Sequence, residues 1–307
     1  MSEIFKFLKQ TGVDKEKGSE TAESGPVVFE PDPSCTDEIV GPDDFQVQDS
    51  GEIPQRDPAH PTSSIETEIV KADKFELNNA NLELKTTLDP LTIVGEQFRL
   101  LRTKLTHLKK EKKIKVVLVT SSVPEEGKTF ASSSLAGVFA QEPGKRVVLL
   151  DCDMRKPRSG HNLGVNGSTS NIGMSEVLQG NTGFFDSMLK SADSNFFFMP
   201  SGPLPQNPTE LLGSDILEKT IKKATDTFDW VIIDSPPVLA LSDATLLAPL
   251  CDTVLLVVRA NSTPSKLIKE TIEHIGREKI CGIVFNRQKQ KYPSTYYYKY
   301  YYGKYKK

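Results

Sequence analysis

The sequence predicts an α/β fold, a doubly wound and mostly parallel sheet with helices on both faces. Six short apolar runs carry this reading: KVVLVTS at 115–121, RVVLLD at 146–151, NFFFMP at 195–200, WVIID at 230–234, TVLLVV at 253–258 and CGIVFN at 281–286. They are rich in Val and Ile and nearly continuous, as strands covered on both faces must be. Helical stretches at 129–141, 208–226, 242–250 and 264–277 lie between them. Strand and helix in alternation give a largely parallel sheet whose ligands bind at the carboxyl ends of the strands.

The chain divides by charge before it divides by structure. Its 307 residues have a net charge of −3, yet residues 1–90 hold 20 acidic and 8 basic side chains whereas residues 91–307 hold 21 and 30. Residues 11–66 contain seven of the 20 prolines and little apolar periodicity. Such a segment buries too little surface to offset the entropy of ordering, so 1–90 reads as a largely disordered arm. Ile4, Phe5 and Leu8 at its start form at most a turn or two of amphipathic helix. The four cysteines, Cys35, Cys152, Cys251 and Cys281, stand far apart without metal-ligand spacing. That suggests neither a disulfide framework nor a zinc site and suits a reducing compartment. No stretch approaches the ~18 apolar residues of a membrane span, and the N-terminus does not read as a signal peptide. A cytoplasmic location is expected.

A folded domain is expected over 91–290. In LTIVGEQFRLLRTKLTHL, Val94, Phe98, Leu101, Leu105 and Leu108 recur at three and four, which marks an amphipathic helix over 91–109. After the first apolar run comes SVPEEGKT at 122–129, leading into the helical FASSSLAGVFA. In the pattern G-x-x-x-x-G-K-[ST], loop N–H groups cradle phosphates, the lysine reaches the β and γ oxygens and the hydroxyl holds Mg²⁺. Gly127, Lys128 and Thr129 take those places, and Ser122 replaces the first glycine. Candidate nucleotide contacts are therefore Ser122, Val123, Pro124, Glu125, Glu126, Gly127, Lys128, Thr129 and Phe130. Two further strands end in acid: VVLLDCDMR places Asp151 and Asp153 beside the loop, and VIIDSPP places Asp234 at a strand tip. A Mg²⁺–nucleotide site needs such carboxylates, because the loop offers only one hydroxyl. The fold expected is thus the P-loop NTPase type, with ATP and Mg²⁺ as cofactors. Thr129, Asp153 and Asp234 are candidate metal ligands, and Asp151 a candidate acceptor of a substrate proton.

All eight tyrosines lie in the last 16 residues, at Tyr292, Tyr296, Tyr297, Tyr298, Tyr300, Tyr301, Tyr302 and Tyr305. Packing would distribute them through a core. Lys299, Lys304, Lys306 and Lys307 keep the segment in water. An aromatic, basic strip also suits stacking on single-stranded nucleic acid or a membrane interface. Hydroxyl acceptors for a γ-phosphoryl group, gathered at 291–307 beside an ATP site, are the more economical account.

Together these motifs resemble the bacterial tyrosine kinases of capsule and exopolysaccharide loci, over roughly residues 90–307. TSSVPEEGKT is similar to that family's Walker A loop, VVLLDCDMRKPR to its Walker A′ motif and VIIDSPP to its Walker B. GPLPQNPTELLGS resembles the stretch before its Walker B strand, and the tyrosine-rich end its autophosphorylation cluster. Glu125 departs from the glycine that many members have. Glu96, Arg99 and Arg102 resemble the E-x-x-R-x-x-R segment through which subunits assemble, and their spacing puts them on one helix face. The resemblance implies an ATP-dependent autokinase acting on its own tail within a ring, octamer-like. It implies a separate membrane chain-length protein as activator, a cognate tyrosine phosphatase, a place at the inner face of the plasma membrane, and control of polysaccharide polymerisation and export. No nucleic-acid partner is expected. The alternative is a positioning ATPase like ParA or MinD, which has a lysine early in the loop where Val123 stands here.

Overall fold

The computed structural model describes residues 72–165 and 172–287. The arm as far as residue 71 and the tyrosine segment lie outside the described residues. The elements run β1 (Asp73–Phe75), a 3₁₀ turn (Leu77–Asn79), α1 (Leu82–Leu88), α2 (Ile93–Lys112), β2 (Val116–Ser121), α3 (Lys128–Ala140), β3 (Val147–Asp151), α4 (Ser159–Leu163) and α5 (Met174–Leu178). They continue with β4 (Leu189–Ser191), β5 (Phe196–Met199), α6 (Pro208–Leu212), α7 (Asp215–Thr227), β6 (Trp230–Asp234), α8 (Asp243–Leu247), β7 (Thr253–Arg259), α9 (Ser265–Ile275) and β8 (Ile280–Asn286).

The eight strands form one sheet in the order β1-β4-β5-β3-β6-β2-β7-β8. All pairings are parallel except β4 with β5. Alternate residues of each strand feed opposite cores, as the pleat requires. Val116, Leu118, Val148 and Leu150 face one cluster with α5, α7 and α8. Val117, Val119, Val147 and Leu149 face the other, with α1, α2 and α3. Helix α3 is enclosed nearly all round, from Thr129 to Ala140. It lies against the sheet, where Phe139 stacks on Trp230 at 4.2 Å, and beneath α1 and α2.

All six expected strands are present, with ends shifted by a residue at most. The single helix expected at 208–226 is two, broken at Gly213 and Ser214. Helix α2 runs past the expected end to Lys112 and buries Phe98 and Leu105, while Val94 on the expected apolar face is exposed.

One boundary is corrected. The arm was expected to extend to residue 90, but β1 pairs with β4, and α1 packs on α3. Asn81 caps α1 by accepting from the Leu84 N–H at 2.8 Å, and Leu84 is fully buried. Close packing shows at Gly137 of α3, where an added Cβ would stand 2.7 Å from Leu88 Cδ2. The acidic surroundings of 72–90 masked these few apolar anchors. Leu84→Ala should therefore destabilise the protein by about 2–5 kcal/mol, because it opens a cavity between α1 and α3. Urea unfolding checks this, and a change under about 0.5 kcal/mol, the size expected of a surface substitution, would mean that α1 is not part of the core.

Candidate active site

The site forms where β2, β3 and β6 end side by side. In the register, Asp151 is paired with Asp234, and Val119 with Asp234 on the other side. The residues at 122–127 leave β2 as a loop and enter α3 at Lys128, with Gly127 in the left-handed region at φ 97°. Only glycine takes that conformation without strain, and a Cβ there would also strike Asn286 Nδ2. A cleft of about 660 Å³ opens over the loop. Pro124, Glu125, Gly127, Lys128, Thr129 and Phe130 border it. Ser122, Val123 and Glu126 do not. Phe130 also packs edge-on against Phe98, which ties the start of α3 to α2.

Three aspartates and one lysine dominate the electrostatics. Lys128 Nζ donates to Asp153 Oδ2 at 2.7 Å and lies 3.3 Å from Thr129 Oγ1. Burial works to lower the Lys128 pKa, but Asp234 and Asp153 outweigh it and raise the value. Asp151 is raised well above the usual carboxylate range, first by burial and then by Asp234 and Asp153. Asp234 is raised too, chiefly by burial, against the opposing pull of Lys128 and the Thr129 hydroxyl. Ser159 serves both acids: its hydroxyl donates to Asp234 Oδ2 at 3.0 Å, and its N–H to Asp151 Oδ2 at 3.3 Å.

The structure brings Lys128, Thr129, Asp151, Asp153 and Asp234 together. Asp151 is 1% exposed and, like Asp234, does not border the cleft. The Asp151 oxygens accept the Asp153 and Ser159 N–H groups, so it braces the turn after β3. Asp234 Oδ1 is buried without a hydrogen-bond partner, which leaves a hard oxygen acceptor open beside the Thr129 hydroxyl. An oxygen-preferring divalent cation fits that donor set. Among the described residues no three acidic, His or Cys side chains are grouped to hold a metal by themselves. Mg²⁺ tolerates this, since it binds through one or two carboxylates plus phosphates and water.

Other residues were not singled out in the sequence, although Arg155, Lys156 and Arg158 lie within VVLLDCDMRKPR. Arg155, Lys156, Arg158 and Arg287 add positive charge around the cleft. Arg155 also ties the site to two helices, with Nε donating to Asp243 Oδ2 at 3.1 Å and Nη2 to Thr209 Oγ1 at 2.8 Å. The turn SPP after Asp234 packs back on β2, where the Val238 N–H donates to the Ser121 carbonyl at 2.9 Å. Asp243 and Arg287 are single residues far apart along the chain and form no recognisable pattern.

The comparisons with known proteins agree with this geometry. A family model described as an AAA domain matches residues 112–279. The tyrosine-protein kinase YwqD of Bacillus subtilis is 32% identical over 210 residues, covering 68% of this chain and 87% of that protein. The chain belongs to the bacterial tyrosine kinases. It is a protein-tyrosine kinase of an ATP-using family. The kinase is also 33% identical over 220 residues to tyrosine-protein kinase wzc of Salmonella typhimurium, covering 70% of this chain but only 30% of that longer protein. Among solved structures, the VpsO kinase domain superposes with a TM-score of 0.59 at 31% identity, over 67% of this chain and 96% of that one.

Within the kinase, the Glu96, Arg99 and Arg102 face is largely engaged from inside. Arg99 pairs with Glu96 at 3.0 Å and donates to the Pro90 carbonyl at 2.8 Å. Arg102 binds Glu142 at 3.1 Å and the Val138 carbonyl at 2.8 Å, near the end of α3. Glu96 alone keeps a mostly exposed side chain. The tyrosines lie outside the described residues.

Glu125 stands exposed in the loop at φ 67°, a left-handed conformation that favours glycine. Glu125→Gly should stabilise the kinase by about 1 kcal/mol, through relief of that conformation, and should tighten nucleotide binding by removing an anion from the cleft mouth. Urea unfolding and an ATP titration measure the two effects. A less stable variant would mean that the Glu125 side chain itself supports the loop.

Proposed function

We propose that this kinase transfers the γ-phosphoryl group of ATP to tyrosines of its own C-terminal segment, from one subunit to another within a ring. The observation that carries the proposal is Arg287, the last described residue, which borders the phosphate cleft. In the sequence, the first of the eight tyrosines, Tyr292, follows five positions later. Lys128 and the loop N–H groups would neutralise charge on the transferred phosphoryl. Arg155 and Arg158 would add a positive field. Thr129, Asp153 and Asp234 would hold Mg²⁺, which would supply neutralisation of phosphate charge. A phenol of pKa ≈ 10 loses its proton late in a loose transition state, so alignment rather than a strong base sets the rate. This agrees with an Asp151 that is enclosed.

The family resemblance extends the proposal to control of exopolysaccharide or capsule polymerisation and export. A membrane chain-length protein would activate the kinase at the inner face of the plasma membrane, and a tyrosine phosphatase would reset it. Helix α2, with Glu96 and Arg99, supplies the proposed subunit contact. Arg102 would act less directly, by fixing α2 to α3.

Lys128→Met should abolish tyrosine phosphorylation and leave the fold intact, because Lys128 stands in the cleft wall rather than in either apolar core. Mass spectrometry after incubation with Mg²⁺–ATP and an activating partner should show phosphates confined to peptides after residue 291. Phosphate on Ser or Thr alone would sink the proposal. Each phosphotyrosine adds about −1.5 to −2 charges, so a modified segment is repelled from the aspartates of the neighbouring site. Light scattering should then find the Lys128→Met protein in a large assembly and the phosphorylated wild type in smaller species. A phosphorylated form of undiminished size would refute the switch.

A further inference from the structure

Glu126 lies one residue before Gly127 in the phosphate loop and is 1% exposed. A buried carboxylate is tolerated only when its oxygens are hydrogen-bonded, and both are. Oε2 accepts from the Val123 N–H at 2.9 Å. Oε1 accepts from the Arg259 N–H at 3.2 Å and from the Thr263 hydroxyl. One oxygen thus closes the loop on itself, while the other fastens it to the turn between β7 and α9. On its backbone side, the Glu126 carbonyl accepts from Asn286 Nδ2 at 2.9 Å, at the end of β8.

These contacts come from a different part of the sheet than the acidic cluster. The aspartates stand on β3 and β6, on one side of β2, whereas the Glu126 contacts stand on β7 and β8, on the other. The loop is therefore held on two flanks, and only the first was evident as a motif. We propose that Glu126 is a positioning residue for phosphoryl transfer. It touches no substrate, and it fixes the shape of the loop whose N–H groups receive the phosphates. The inference rests on the phosphate-site reading above.

The donor arrangement requires a carboxylate. Three donors converge on two acceptor oxygens, and a glutamine in the same place offers one oxygen and one NH₂ group. If its oxygen faces Thr263 and Arg259, its NH₂ meets the Val123 N–H, donor against donor. Glu126→Gln is thus nearly isosteric and breaks one arm of the brace. Thr263→Val removes a donor from the other arm without altering the loop, and Thr263→Ser restores it.

Calorimetric titration of the full chain with Mg²⁺–ATP separates affinity from the fraction of competent protein. Glu126→Gln should weaken Kd about ten-fold at unchanged stoichiometry, Thr263→Val about three-fold, and Thr263→Ser should bind like the wild type, as expected for hydrogen bonds to a charged acceptor. A merely structural Glu126 gives the other pattern, with lower stoichiometry and a lower thermal midpoint but an unchanged Kd. That pattern, in Glu126→Gln and Thr263→Val alike, overturns the inference and leaves the phosphate site standing. A wild-type chain without saturable Mg²⁺–ATP binding overturns both.

Discussion

The crowding of like charge at the ends of two adjacent strands, beside the phosphate loop that leaves a third, is the constraint on which the site depends. Asp151, Asp153 and Asp234 all fall within the field of Lys128, and burial raises the proton affinity of Asp151 and Asp234. One lysine balances three acids only in part. Ser159 and the N–H groups of Asp153 and Ser159 supply some of the rest, and Asp234 Oδ1 is left without a partner. An apolar replacement would relieve this strain, so the arrangement makes sense as one completed by a cation and phosphates. The Lys128–Asp153 pair then reads as an internal stand-in, since each side chain holds the partner that a nucleotide complex would replace.

Such crowding needs a rigid frame, and the strand order provides it. β6 lies between β2 and β3, so the phosphate loop and both acidic strand ends meet without a long connection. The strands at this point are buried on both faces, and their register fixes Asp151 opposite Asp234. On the far side, β7 and β8 hold the loop through Glu126 and Asn286. Since the reaction relies on alignment, stiffness here bears directly on rate.

Much of this was legible in the sequence because the signals are local. The six long strands showed as unbroken apolar runs, and the loop and the acidic strand ends as short motifs that the sheet then collects. β1 and β4 were not legible: three residues each, with only Phe75 of β1 buried, give no period to detect. Nor was the fixing of Arg102 to Val138 and Glu142, because a residue spacing on α2 says nothing about which side chains α3 offers. Glu126 was read as a candidate nucleotide contact, whereas it does not border the cleft. Its partners Arg259, Thr263 and Asn286 lie more than 130 positions away and belong to no motif.

The placement of aromatic residues bears on how such an enzyme chooses its acceptor. The chain has 15 phenylalanines and one tryptophan, and residues 1–291 contain no tyrosine. The interior uses Phe where a phenol would also pack: Phe75 on Phe196, Phe98 on Phe130 and Phe139 on Trp230. A phenol in the core would need a hydrogen-bond partner, which these contacts avoid. For a kinase that acts by bringing acceptor and cleft together, the same choice has a chemical consequence. Any tyrosine near the cleft competes with the intended one at the high effective concentration of a tethered group. On the proposed reading, with none in the folded domain, tethering alone would direct the phosphoryl group to the C-terminal segment. Selectivity on the proposed reading therefore comes from where tyrosine is absent, and the cleft needs no side-chain pocket to recognise the sequence around its acceptor.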